Sequence, residues 1–164
     1  MRYYRCIKLE TLLKLHTDST PALNTVTSYG DDYIEVSHVR FSHAVAFGPT
    51  GKVTEWPVQA TADITLALLR QAAGLPATAQ DPVAFLDEGE NAPLPRPANA
   101  PEVLLVGTGK HQKFLSAELV QPMWAQGVGV EVIDTRAAAR TYNILVAEGR
   151  RVVAALMVPN GDSQ

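Results

Sequence analysis

Two glycines, a lysine and two arginines form the arrangement in this chain with the clearest chemical use, which is to hold an anion. Gly107-Thr108-Gly109-Lys110 follows an apolar run and precedes a helical pattern. There, backbone amides and a helix N-terminus together can cradle negative charge. Arg136, Arg140 and Asn143 fall at i, i+4 and i+7, one stripe of a second helical segment. Cations in a first turn oppose the positive end of the helix dipole by a few tenths of a kcal/mol. Asp134, Glu131, a backbone carbonyl, or an external anion shared with Lys110 could favour them there. With Thr135 at the head of that segment, the candidate anion site is Gly107, Thr108, Gly109, Lys110, Thr135, Arg136 and Arg140. The competing reading is structural: a glycine that permits a tight turn, and a solvated arginine face paired with carboxylates. The loop lacks the dinucleotide fingerprint, and its lysine does not stand at P-loop spacing.

Other chemistry is not signalled. His16, His38, His43 and His111 have no paired ligand spacing, and no serine stands in a nucleophile-elbow motif. Cys6 is the single cysteine, so neither an internal disulfide nor a multi-cysteine metal cluster is available. No catalytic residue, metal or cofactor is therefore expected. Tyr142 reads as a core tyrosine with one hydrogen bond, and His43 as an inward-facing strand histidine.

The elements that must position the candidate site run from Pro101 to Val158 as one β-α-β-α-β unit. Glu102–Val106, Val128–Thr135 and Arg151–Val158 are strand-like, with helical stretches Ser116–Gln126 and Arg136–Glu148 between them. Their near-continuous apolar character predicts one sheet buried on both faces, with the first two strands parallel and neither at an exposed edge. Their following loops then open on one rim, where ligands of such sheets bind. Pro122 predicts a kink near Glu118 to Gln121. Thr135 or Asp134 caps the second helix and Gly149 ends it.

The front of the chain is β. Thr25–Tyr29, Tyr33–Val36, and an alternating run from Val39 to Phe47 predict a meander, with Lys52–Trp56 as a short return strand. Asp63 reads as the cap of a helix through Ala73, with Ile64, Ala67, Leu68 and Gln71 along its stripe and Gly74 as its stop. Residues 75–100 carry Pro76, Pro82, Pro93, Pro95 and Pro97, and acids opposed only by Arg96. They predict a surface loop insert. The expected organisation is an uncertain extension over 1–13, one α/β domain over 14–158 containing that insert, and a tail over 159–164. The fold class is α/β: a three-layer single domain with a central mixed, largely parallel sheet, an N-terminal β-meander and crossover helices.

With 164 residues, 46% hydrophobic content and a net charge of −3, the chain is an ordinary globular candidate with no general attraction to nucleic acid. No apolar run approaches the ~20 residues that a membrane span needs. The start, with Arg2, Arg5, Lys8 and Lys14, suggests a mitochondrial presequence, but Glu10 and the lack of serine argue against one.

Asn24-Thr25-Val26-Thr27-Ser28-Tyr29-Gly30, Tyr33-Ile34-Glu35-Val36, Val103-Leu104-Leu105-Val106-Gly107-Thr108-Gly109, Gly127-Val128-Gly129-Val130-Glu131-Val132, Asp134-Thr135 and Arg140-Thr141-Tyr142-Asn143-Ile144-Leu145 resemble, in this order and spacing, the family called domain of unknown function 498. That family includes a mitochondrial respiratory complex I assembly factor. The resemblance implies a three-layer α/β domain and, for mitochondrial members, a role in protein assembly. It carries no catalytic residue or cofactor. Ser37-His38 stands where relatives often have an Asn-Gly turn, which puts a tight hairpin there in doubt. Ala139 stands where relatives often carry a cysteine, so thiol chemistry has no group at that position. The expected function is a non-enzymatic binding or assembly protein. Its expected partner is a protein, such as a membrane-complex subunit or its assembly machinery, in a bacterial cytoplasm or, for a eukaryotic source, a mitochondrion. A small-anion-binding domain, or an enzyme using the rim of residues 107–110 and 135–140, is the alternative.

Overall fold

A computed structural model describes residues 23–76 and 98–159. The expected extension over 1–13, most of the insert and most of the tail lie outside them. The insert's two ends, Leu75 and Ala100, are buried core residues, so the stretch expected as a surface loop is anchored inside the fold at both ends.

Two sheets are present. Strands β1 (Val26–Tyr29), β2 (Ile34–Val36) and β3 (Val39–Phe41) form an antiparallel meander. The second sheet contains β4 (Val45–Phe47), β5 (Thr54–Glu55), β6 (Val103–Gly107), β7 (Gly129–Ile133) and β8 (Val152–Leu156). Its order is β5-β4-β8-β6-β7, with β6 parallel to both β7 and β8 and β4 antiparallel to β8. Helix α1 (Leu66–Ala72) and α2 (Ala117–Ala125) cover one face of this sheet, while α3 (Thr135–Ala147) and the meander cover the other. The α/β class and its three layers are as expected.

Alternation along the central strands explains the layering. Leu104 and Val106 of β6 enter the core under α1 and α2, whereas Leu105 points to the core under α3. In β8, Ala155 faces the first core, and Ala154 and Leu156 the second. Small residues here let both helical layers approach closely.

Several expectations need correction. Val39 to Phe47 is not one half-buried strand, because the chain leaves the meander after Phe41 and enters the second sheet at Val45. Val39 is exposed, whereas Val45, Ala46 and Phe47 are all buried because β4 is covered on both faces. His43 lies in the connection and is exposed, its ring edge-on to Phe41 at 5.8 Å, so it is no core histidine. Strand β7 is an edge, not an interior strand, with Glu131 exposed and Gln112 Nε2 donating to the Val132 carbonyl at 2.7 Å. That side-chain bond occupies an acceptor that an edge strand would otherwise present to another chain.

Helix α1 begins later than expected. Thr65 caps it, accepting from the Leu68 amide at 3.3 Å, while Asp63 accepts from the Gln59 and Ala60 amides of the preceding turn at 3.1 and 2.8 Å. The helix's buried residue is Leu69, with Ala73 buried at the C-cap, while Ala67 and Gln71 of the expected stripe are exposed. Gly74 ends the helix with φ of 65°. Helix α2 continues unbroken from Ala117 to Ala125 across Pro122, which has no N–H for the Glu118 carbonyl; Val120 and Met123 are its buried residues.

The hairpin between β2 and β3 is tight after all: Val36 faces Val39 across Ser37-His38, at φ of 50° and 66°. Both central residues occupy the left-handed region without being glycine. Replacing Ser37-His38 by Asn-Gly should therefore stabilise the fold by about 1 kcal/mol. Urea denaturation checks this; an unchanged midpoint would mean the turn carries no strain.

Candidate functional site

The loops after β6 and β7 do meet at the C-terminal rim, as the parallel pairing requires, and Thr135 joins them. Its hydroxyl accepts from the Gly109 amide at 2.9 Å and donates to the Met157 carbonyl at 2.7 Å. Its own amide donates to the Gly109 carbonyl at 2.9 Å. Thr108 donates its amide to Ile133 at 3.0 Å, and Met157 donates to Gly107 at 2.9 Å. Thr108 and Thr135 are both fully buried. One side chain thus ties together the exits of all three parallel strands.

Each glycine has a separate reason. A Cβ on Gly107 would lie 2.9 Å from Leu156 Cδ2 and 2.9 Å from Thr135 Oγ1, so only hydrogen fits between these neighbours. Gly109 has φ of 92°, a conformation that side chains resist. Beyond it, the Thr108 hydroxyl accepts from the Lys113 amide at 3.0 Å and donates to the His111 carbonyl at 2.9 Å, folding the loop back on itself. Lys110 lies on the exposed side of that fold.

Asp134, not Thr135, caps α3, accepting from the Ala137 amide at 2.9 Å. The arginine stripe faces the meander. Arg136 pairs with Asp31 at 2.6 Å, Arg140 donates to the Tyr29 hydroxyl at 3.1 Å, and Asn143 grips β1. The Asn143 carboxamide accepts from the Val26 amide at 2.9 Å and donates to the Val26 carbonyl at 2.8 Å, as a neighbouring strand would. Tyr142 is buried edge-on against Phe47, ring centres 4.8 Å apart, and donates to the Asn24 carbonyl at 3.2 Å. Burial holds its phenol well above the ordinary range, so it stays a donor. Asn24 in turn donates to the Gly48 and Gly51 carbonyls at 2.9 and 3.0 Å.

Of the residues that the sequence grouped, Gly107, Thr108, Gly109 and Thr135 meet at the rim, whereas Arg136 and Arg140 turn to the meander and bond partners that the sequence did not indicate. Asp31 and Tyr29 lie more than a hundred positions away from the arginines, and no local pattern links them. The Arg136–Asp31 pair is solvent-exposed on both sides, 47% and 63%, and contributes at most about 1 kcal/mol. The Thr108, Gly109 and Thr135 amides that an anion would need already have protein acceptors. Millimolar phosphate is accordingly expected to leave their NMR shifts in place. Saturable shifts clustered at Gly107 to Lys110 would show that the loop opens for an anion.

Two surface features were not anticipated. A cleft of about 540 Å³ opens at the same rim between His43, Glu55, Gln59, Asp63 and Val158, with the buried Trp56 indole beneath. Phe114 and Trp124, before and on α2, are 83% and 57% exposed, the former on the loop that Thr108 and Gln112 brace. Neither stands out in sequence, because a single exposed aromatic in or beside a short helix has no period. Among the described residues there is no cluster able to hold a metal ion and no helix long and apolar enough to cross a membrane.

Residues 26–157 match the family model described as a protein of unknown function, DUF498/DUF598. The chain belongs to this family. A solution structure from Bordetella pertussis, described as a Mth938-like domain, is 66% identical and covers 90% of this chain and 93% of its own, with a TM-score of 0.69. A Bordetella parapertussis crystal structure is 57% identical over 85% of this chain and 98% of its own, TM-score 0.68. Among curated relatives, the human NADH dehydrogenase [ubiquinone] 1 alpha subcomplex assembly factor 3 is 43% identical over 60 residues, which are 37% of this chain and 33% of that protein. A Francisella tularensis 13 kDa major membrane protein is 36% identical over 55 residues, 34% of this chain and 45% of its own. The aligned part is thus about one third of the length of the assembly factors and under half of the Francisella protein. In this chain, the stretch Asn24–Gly30 and the stretch Arg140–Leu145 hold one another through Tyr29, Val26 and Asn24, and Gly107–Gly109 holds Thr135. The segments that mark the DUF498 resemblance are contact pairs of the fold.

Proposed function

We propose that this chain is an assembly-factor-like binding protein that acts by holding a protein partner and catalyses no reaction. The observation that carries this reading is how the polar groups are spent. Residues that carry the DUF498 resemblance bond one another, while Phe114 and Trp124 remain in solvent on the α2 side. Exposed aromatics on an ordered loop and helix suit a protein contact, where such side chains act as anchors. The human relative's name supports a subunit of an NADH dehydrogenase, or of its assembly machinery, as the class of partner. The Francisella relative's name is in keeping with a partner at a membrane. In a bacterial cell, this reading puts the protein in the cytoplasm, against such a complex.

The test is in-cell crosslinking and mass spectrometry with wild type and a Phe114→Ser, Trp124→Gln double variant. Wild type should retain subunits of an NADH dehydrogenase or its assembly machinery. The double variant should retain at least about ten-fold less, the loss expected from one to two anchor residues, with an unchanged unfolding midpoint. Equal retention by both proteins would remove this surface from the reading. Recovery of no such subunit by wild type would remove the assembly role.

A further inference from the structure

The cleft at the C-terminal rim contains a donor with nothing to donate to. Trp56 lines it at 2% exposure, and its indole Nε1 is buried with no hydrogen-bond partner among the described residues. The backbone on either side is engaged: the Trp56 amide donates to the Ala44 carbonyl at 2.9 Å, and its carbonyl accepts from the Val58 amide at 2.7 Å. The residue is thereby held in the core beside Ala44 and Met157. An indole N–H can only donate, and a buried polar group left unpaired in a fold calls for an explanation.

The cleft mouth has the complementary chemistry. Glu55 and Asp63 stand exposed on it, and no lysine or arginine is among its described lining residues. Asp63 accepts the Gln59 and Ala60 amides at a single oxygen, Oδ2. Carboxylates only accept when ionised, so they favour a cation and disfavour an anion. The group that answers Trp56 is then a neutral carbonyl, carried by a molecule that is positive elsewhere. We propose that the cleft binds a small molecule with a carbonyl at one end, accepting from Trp56 Nε1, and an ammonium or guanidinium group at the other, beside Glu55 and Asp63. A volume of about 540 Å³ lies in the range of small-molecule sites, and Val58, Met157 and Val158 offer apolar wall for the linking carbons. Nε1 itself is covered, so seating the carbonyl requires the wall to shift. Pro57 and Gln59 are exposed lining residues with room to do so. Neither Phe114 nor Trp124 takes part, so this site stands or falls apart from the partner reading.

The test titrates three probes of matched chain length at millimolar concentration: ε-aminocaproamide with both groups, caproamide without the cation, and hexylamine without the carbonyl. NMR reads the indole Hε1 signals of the two tryptophans, with the exposed Trp124 as the internal reference. The amino-amide should move the Trp56 signal downfield saturably and leave Trp124 in place. Caproamide should bind about two- to five-fold more weakly, the worth of one exposed ion pair, and Glu55→Gln should weaken the amino-amide by a similar factor without moving the unfolding midpoint. Hexylamine should leave the Trp56 signal where it is. A Trp56 signal unmoved by the amino-amide, or moved equally by caproamide, would overturn the proposal. So would magnetisation transfer from Trp56 Hε1 to a resident water that persists at saturating probe, because that water would then be the indole's partner.

Discussion

Replacing Asn143 by leucine should lower unfolding stability by about 2–4 kcal/mol, or about 5–12 °C in Tm for a chain of this size. Leucine keeps the number and branching of heavy atoms but cannot pair with Val26, so one amide and one carbonyl at the edge of β1 lose their partners together. Val26 is 7% exposed, which limits how well water can replace the carboxamide. Stripping a buried backbone group of its partner costs about 1–3 kcal/mol each. The neighbouring tethers cannot make up the difference. Arg136–Asp31 is an exposed pair, and Arg140 offers one hydrogen bond to the Tyr29 hydroxyl. Hydrogen exchange gives the site-specific check: the Val26 amide should exchange faster even under conditions where Leu105 and Ala154 stay protected. A variant as stable as wild type, with a protected Val26 amide, would mean that α3 holds the meander by apolar contact alone.

The same residues show what could be read in the chain beforehand and what could not. Val103–Val106 and Val152–Leu156 announced a buried parallel sheet because strands covered on both faces need no polar side, and periodicity reports burial directly. Strand β7 carried the same signal through Val130 and Val132, yet it is an edge. Its outer side is set by where β8 inserts, on the far flank of β6, and hydropathy does not encode strand order. The Val39–Phe47 run misled for a related reason: alternation was real in residue type, but the chain changes sheets halfway, and β4 is buried on both faces. At the rim, residue types suggested charge and glycine for an anion. The same types serve packing when a threonine from the next loop fills the space. Gly107 is small because Thr135 and Leu156 stand against it, a contact between segments more than twenty residues apart. Sequence spacing on one helix placed Arg136, Arg140 and Asn143 on a shared stripe correctly, and what that stripe touches required the fold.

The largest effect is expected at Thr135. Thr135→Val should cost about 3–5 kcal/mol, whereas Thr135→Ser should cost only about 1 kcal/mol. Valine matches threonine in shape, so packing against Gly107 is preserved and the hydroxyl is the variable. Without it, the buried Gly109 amide has no acceptor at the position Oγ1 occupied, and the Met157 carbonyl loses the donor 2.7 Å away. Both groups sit at a fully buried residue where water has no access, so the desolvation cost of each is felt in full. Serine keeps both bonds and gives up one methyl group, which accounts for the smaller loss. The comparison separates hydrogen bonding from packing, because a packing role predicts the opposite order, with valine the milder change. Urea denaturation of both variants, read with the exchange rate of the Gly109 amide, decides between them. Valine should speed that amide's exchange selectively, and serine should leave it slow. If valine were as stable as serine, the join between the three parallel strands would rest on shape, and the buried hydroxyl would contribute nothing to it.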